Sequence, residues 1–189
     1  MKATGNYEQV KHVDPLVVLS EHTRHHIDEW VAKFPADRKR SALIQALFAA
    51  QEQNQGFLTD DLIVAVTKYL ALPAVWGYEV ASFYSMLETK PVGRNNVAIC
   101  TNISCWLNGA EGLVRHCENK LGIKTGESTP GGRIYLKQEE ECIAACVYAP
   151  AMTVNGHYHE RLTIEKLDEI LDGLSIDGPG HAHDAEGKH

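Results

Sequence analysis

Four of the five cysteines of this 189-residue chain fall into two close pairs, Cys100 with Cys105 and Cys142 with Cys146. Thiolates spaced this closely bind metal ions or exchange electrons, and both uses need a scaffold that brings the pairs together. The amino terminus has neither the apolar core of a secretion signal nor the Arg-rich, acid-free character of a transit peptide, so a cytoplasmic chain is expected. In that compartment close cysteine pairs point to metal or redox chemistry rather than to a disulfide framework. The fifth cysteine reads differently. Cys117 shares the stripe Ala110, Leu113, Val114, Cys117 and Leu121 and has no cysteine neighbour in sequence, so it is expected to pack as a small hydrophobe. His22 and His26 stand at i, i+4, but no third ligand lies nearby in sequence, and they read as a solvated polar face.

Spacing leaves two metals open. Structural zinc sites pair cysteines two to four residues apart, which admits both motifs. A 2Fe-2S cluster spreads four thiolates over two irons, and Cys-x4-Cys is the spacing with which plant-type ferredoxins begin, although the later Cys-x3-Cys departs from them. Such a cluster with four thiolates carries net negative charge that one further electron increases. Glu139, Glu140 and Glu141 precede Cys142, and neither cysteine loop holds a Lys or Arg, which would favour the oxidised form and a low potential.

Residues 1–15 lack periodicity and end in Asp14-Pro15, a flexible lead-in. Ser20 then caps a helix whose face is Ile27, Trp30, Val31 and Phe34, closed by Pro35. A second helix is expected from Arg40 to Asn54, ahead of the cap Gly56. Thr59 caps a third with the face Leu62, Val66, Tyr69 and Leu70, and the Leu72-Pro73 step separates it from a fourth through Val75, Tyr78, Val80 and Phe83. These make a small helical bundle over 16–90. The pattern changes at Lys90-Pro91-Val92-Gly93. Val97 to Cys100 reads as a strand, and one helix is expected to begin at Cys105 and carry the Cys117 stripe. After a turn-rich stretch over 125–132 come a strand from Arg133 to Lys137, a hairpin around Asn155-Gly156 and a closing helix capped by Thr163. This order describes an α+β domain over 91–175, of a size that suits a thioredoxin-like sheet. Both cysteine pairs fall in loops at strand ends, and residues 176–189 read as a disordered tail.

Composition narrows the class. With 44% hydrophobic and 23% charged residues the chain is an ordinary globular one, and its apolar runs are too short to cross a membrane. A formal charge of -7 argues against nucleic acid as the main partner, and the basic run Arg38-Lys39-Arg40 is too short to reverse it. There is no Gly-x-Gly-x-x-Gly fingerprint after a strand and no phosphate-binding loop.

Three strings carry a resemblance: Pro91-Val-Gly-Arg-Asn-Asn-Val-Ala-Ile-Cys-Thr-Asn-Ile-Ser-Cys-Trp-Leu107, Lys120-Leu-Gly-Ile-Lys-Thr-Gly-Glu-Ser-Thr-Pro130 and Cys142-Ile-Ala-Ala-Cys-Val-Tyr-Ala-Pro150. They resemble the NuoE-type 2Fe-2S subunit of NADH:quinone oxidoreductase, respiratory complex I. Ser41-Ala-Leu-Ile-Gln-Ala-Leu47 and Tyr78-Glu-Val-Ala-Ser-Phe-Tyr84 are similar to the helical region of the same family. The resemblance implies an N-terminal helical bundle, a C-terminal thioredoxin-like ferredoxin domain, and one 2Fe-2S cluster on Cys100, Cys105, Cys142 and Cys146. It implies partners: the flavin-bearing NADH-binding subunit, which would hold FMN and NADH, and the large iron-sulfur subunit. The chain would lie at the inner face of the membrane through that complex, with no direct membrane insertion and no catalytic site of its own. The same kind of subunit recurs in the diaphorase parts of NAD-dependent hydrogenases and formate dehydrogenases, and a zinc-stabilised adaptor is the alternative from another class. The chain departs from the family at Ala144, where glycine is usual, and alanine disfavours the positive φ that glycine allows.

Overall fold

The computed structural model describes residues 12–139 and 141–177. Most of the expected lead-in and tail, and Glu140, lie outside them. The chain divides into two compact units, Met1–Pro91 and Val92–His189.

The first unit is helical. A short helix α1, Pro15–Val18, falls in a stretch with no periodic signal; the Asp14 carboxylate caps it by accepting the Leu16 N–H at 2.9 Å. Helix α2, Glu21–Ala32, starts at Ser20, whose hydroxyl accepts the Thr23 N–H at 3.1 Å. The helix expected from Arg40 is shorter than its pattern suggests: a 3-10 stretch, Ala36–Ala42, precedes α3, Leu43–Gln53, because Arg38 departs from helical geometry at φ -117° and ψ 28°. Thr59 caps α4, Asp60–Tyr69, and Pro73 leads into α5, Ala74–Phe83. Helix α4 is buried at every position from Leu62 to Thr67, more than the single face read from its periodicity. Gly77 permits this enclosure, since a Cβ there would lie 2.6 Å from Thr67 Cγ2 and 2.8 Å from Ile63 Cγ2. The buried Gln51 donates to the Met86 carbonyl at 3.1 Å and accepts the Glu88 N–H at 2.7 Å, which satisfies an amide inside an apolar cluster.

The second unit is an α+β fold. Strand β1, Asn95–Cys100, is followed by α6, Ile103–Leu107, and α7, Ala110–Leu121. The single helix expected from Cys105 is therefore two, broken where Gly109 takes φ 88°, a left-handed conformation that interrupts a helix. The stretch read as turns contains a two-residue strand, β2, Glu127–Ser128, ahead of β3, Ile134–Glu139. Strands β4, Met152–Val154, and β5, His157–His159, form the hairpin, with Asn155 at φ 51° and Gly156 at φ 85° as a two-residue turn of this hand requires. Helix α8, Ile164–Gly173, begins at Thr163. The sheet order is β2-β3-β1-β4-β5, with β1 and β3 parallel and all other neighbours antiparallel. Gly93 runs against β3 so closely that a Cβ would lie 2.6 Å from the Ile134 backbone.

Helices α7 and α8 pack together on the core of Val97, Ile99, Leu136, Met152, Leu167 and Cys117. Cys117 is fully buried, and burial pushes its thiol up to about 12. A carboxylate there would have no partner, so Cys117→Asp is expected to cost roughly 3 kcal/mol or more, read as a fall in melting temperature. Across the same helix pair His116 Nε2 lies 2.8 Å from Asp168 Oδ1, and Lys120 Nζ bridges Asp168 and Asp172 at 3.1 and 2.9 Å. His116 first, and Lys120 after it, hold the Asp168 carboxyl below its usual value. The stability this lends is present above the unfolded carboxylate pKa of about 4 and is lost as pH falls through the lower folded value. The difference in melting temperature between the wild type and Asp168→Asn should therefore shrink as pH is lowered.

Candidate metal centre

The parallel pairing of β1 with β3 sets Cys100 opposite Glu139, so both chains leave the sheet at the same end. The first departs through Cys100 into α6, and the second enters the loop that carries Cys142 and Cys146. Asn102 caps α6 by accepting the Ile103 N–H at 2.9 Å, which turns Cys105 back toward the strand end. Two hydrogen bonds fasten the loops: the Ser104 hydroxyl donates to the Cys146 carbonyl at 3.0 Å, and the Cys100 N–H donates to the Ala151 carbonyl at 3.1 Å. A cis peptide joins Ala149 to Pro150 within the second loop.

Four thiols meet there as two pairs. Cys100 and Cys105 are buried and hydrogen-bonded to each other, packed with Ala110, Ala145 and Ala151. Cys142 and Cys146 are exposed, with their Sγ atoms 3.0 Å apart. Burial pushes the Cys105 thiol up to about 11, and neighbouring Cys100 and Cys146 add to this while a backbone hydrogen bond from Ala151 opposes it. Cys146 is raised by its hydrogen bond to Cys142, then by burial, with Cys142 and Cys100 also contributing. Cys142 is lowered by the bond from Cys146 and by the Ala144 N–H, which reaches its Sγ at 3.4 Å. The fifth thiol, Cys117, lies apart in the core. Among the described residues no three His, Cys, Asp or Glu side chains are arranged to hold a single metal ion.

Ala144 corrects the expectation drawn from its side chain. It takes φ 62° despite its Cβ, a conformation that costs a non-glycine residue about 1–2 kcal/mol. The hydrogen bond from its N–H to Cys142 offsets part of that cost. Of the acidic run, only the side chain of Glu141 is among those described; it is exposed, so its charge is screened by solvent, while its carbonyl accepts from Cys100 Sγ at 3.8 Å.

One feature of the site gives no signal in the sequence. Ile103, Trp106 and Leu107 of α6 and Val147 beside Cys146 are all more than half exposed, Val147 at 87%. The amphipathic period of α7 continues backwards through α6 in the linear string, which hides the outward turn of these apolar side chains.

The sequence matches the thioredoxin-like [2Fe-2S] ferredoxin family over residues 27–175. It is 42% identical over 150 residues to an NADH-quinone oxidoreductase subunit of Rickettsia bellii (strain RML369-C), covering 79% of this chain and 89% of that one. It is 41% identical over 151 residues to the corresponding NADH-quinone oxidoreductase subunit of Rhizobium meliloti (strain 1021), covering 80% and 88%. Among solved structures, an NAD+-reducing [NiFe]-hydrogenase in the air-oxidised state aligns with a TM-score of 0.56 at 23% identity, over 67% of this chain and 22% of that one. No helix among the described residues is long and apolar enough to cross a membrane. With its family matched across most of its length and its two units folded as described, the chain belongs to the thioredoxin-like [2Fe-2S] ferredoxins.

Proposed function

We propose that this chain is the electron-transfer subunit of an NADH dehydrogenase module of the complex I type, holding one 2Fe-2S cluster on Cys100, Cys105, Cys142 and Cys146. The observation that carries this reading is the meeting of two thiol pairs at one end of the sheet. A single zinc ion requires all four sulfurs to converge tetrahedrally on one point, whereas a two-iron cluster takes two thiolates at each iron. Two thiol pairs at one strand end, one buried and one exposed, match two thiolates at each of two irons. When bound, the cluster supplies a site that takes up and returns one electron.

The chain's own residues do the rest. Cys100 and Cys105 are held by the strand end and α6, in a pocket where a thiolate is costly unless a cation stands beside it, so the buried pair favours metal over bare thiolate. Cys142 is stabilised as a thiolate by the Ala144 N–H, a donor that persists when sulfur binds metal. The apolar side chains of Ile103, Trp106, Leu107 and Val147 lie beside the thiols and offer a face on which a redox partner can exclude water.

The proposed partners are a flavin-bearing NADH-binding subunit and a large iron-sulfur subunit, with FMN and NADH held by the former. Hydride transfer needs an acceptor for two electrons and a proton, so a flavin must stand between NADH and a one-electron site. The helical unit, residues 20–88, is proposed to help position this one against its partner, and association with the membrane would come through the complex. The shared fold with the NAD+-reducing hydrogenase supports a second reading, the equivalent diaphorase subunit of such an enzyme.

Two measurements check the proposal. Anaerobic addition of NADH to the isolated, cluster-loaded chain should leave its visible absorption unchanged, and bleaching should appear only when the flavoprotein partner is added; direct bleaching would contradict the mechanism. Replacing Cys100, Cys105, Cys142 or Cys146 singly by Ala should abolish the bound iron or make it labile, while Cys117→Ala should retain it. Iron lost from the Cys117 variant and kept in the other four would reverse the assignment.

A further inference from the structure

We propose that the helical unit carries a docking cleft for an acidic, apolar-anchored segment of a partner protein, between the 3-10 stretch Ala36–Ala42 and α5. The cleft has a volume of about 720 Å3. Its floor is apolar, made by Ile44, Leu72, Val80 and Tyr84 together with the Trp76 ring. Its rim is the run Arg38-Lys39-Arg40, the only three consecutive cations in a chain whose formal charge is -7.

The cations are set for an external anion. Asp37 engages Arg38 at 3.2 Å, but among the described residues neither Lys39 nor Arg40 has a carboxylate within ion-pair distance. The Arg40 guanidinium lies 4.2 Å from the centre of the Trp76 ring, which holds the charge at the cleft without neutralising it.

A peptide fits this arrangement better than a nucleotide. Nucleotide-binding loops add to their cations a run of backbone N–H groups in a glycine-rich turn, and neither 36–44 nor 70–76 contains a glycine. An apolar floor with cations along one rim matches an amphipathic segment whose Leu or Phe anchors enter the floor while its Asp and Glu face the rim. The proposal rests on no cysteine, so it stands or falls separately from the cluster assignment.

The test is calorimetric titration of the full chain with a short synthetic peptide alternating Glu or Asp with Leu and Phe, beside its Lys-for-acid counterpart and ATP. The acidic peptide alone should bind, more weakly as salt is raised, and should move the indole N–H resonance of Trp76 while that of Trp106 stays in place. Lys39 is exposed and without an ion-pair partner, so Lys39→Glu should weaken binding about tenfold with an unchanged melting temperature. Absence of saturable binding, equal binding of the Lys peptide, binding of ATP at Trp76, or an affinity indifferent to Lys39→Glu would each overturn it.

Discussion

The register between β1 and β3 is the constraint on which the site depends. Parallel strands leave a sheet in the same direction, so pairing Cys100 with Glu139 obliges two segments far apart in sequence to begin their loops side by side. The buried contacts of Ile99, Ile134 and Leu136 fix that register, because a slip of one residue would turn the apolar set of either strand out of the core. The Ser104 and Cys100 hydrogen bonds then hold the loops to the strand end. Core packing and placement of the thiols are thus one interaction seen from two sides.

The two thiol pairs differ in solvent, and this difference orders the electrostatics. Water does not reach Cys100 and Cys105, so charge there is unfavourable until a cation is present, as the rise of Cys105 to about 11 expresses. Cys142 and Cys146 are exposed on a loop that tolerates a left-handed alanine. Backbone strain of this kind persists where the surroundings over-determine it. Here the Ala144 N–H directed at Cys142 Sγ is the interaction that the strained conformation secures.

Much of this is legible in the sequence because local chemistry and tertiary demand agree. Ser20, Thr59 and Thr163 act as helix caps through the bonds their types suggest, and Asn155-Gly156 makes the hairpin turn. Cys117 separates from the other four thiols because its neighbours on a 3.6-residue period are all apolar. What is not legible lacks a periodic signal. Strand β2 has two residues, too few for alternation, and the break at Gly109 sits inside a pattern that continues in phase across it. The left-handed Ala144 runs against its own propensity, and only its position between two thiols accounts for it. The outward apolar residues of α6 look like core in a linear string and become a surface only once the helix is known to stop at Leu107.

On the proposed reading the two thiol pairs bind iron as a two-iron cluster. Electron paramagnetic resonance of the chain, reconstituted anaerobically with iron and sulfide and reduced with dithionite, separates this from a zinc site. The oxidised protein should be silent, and the reduced protein should show one spin-½ signal integrating to one spin per chain, lost in Cys105→Ala. Stoichiometric zinc in the purified chain, with no such signal after reconstitution and reduction, would contradict it.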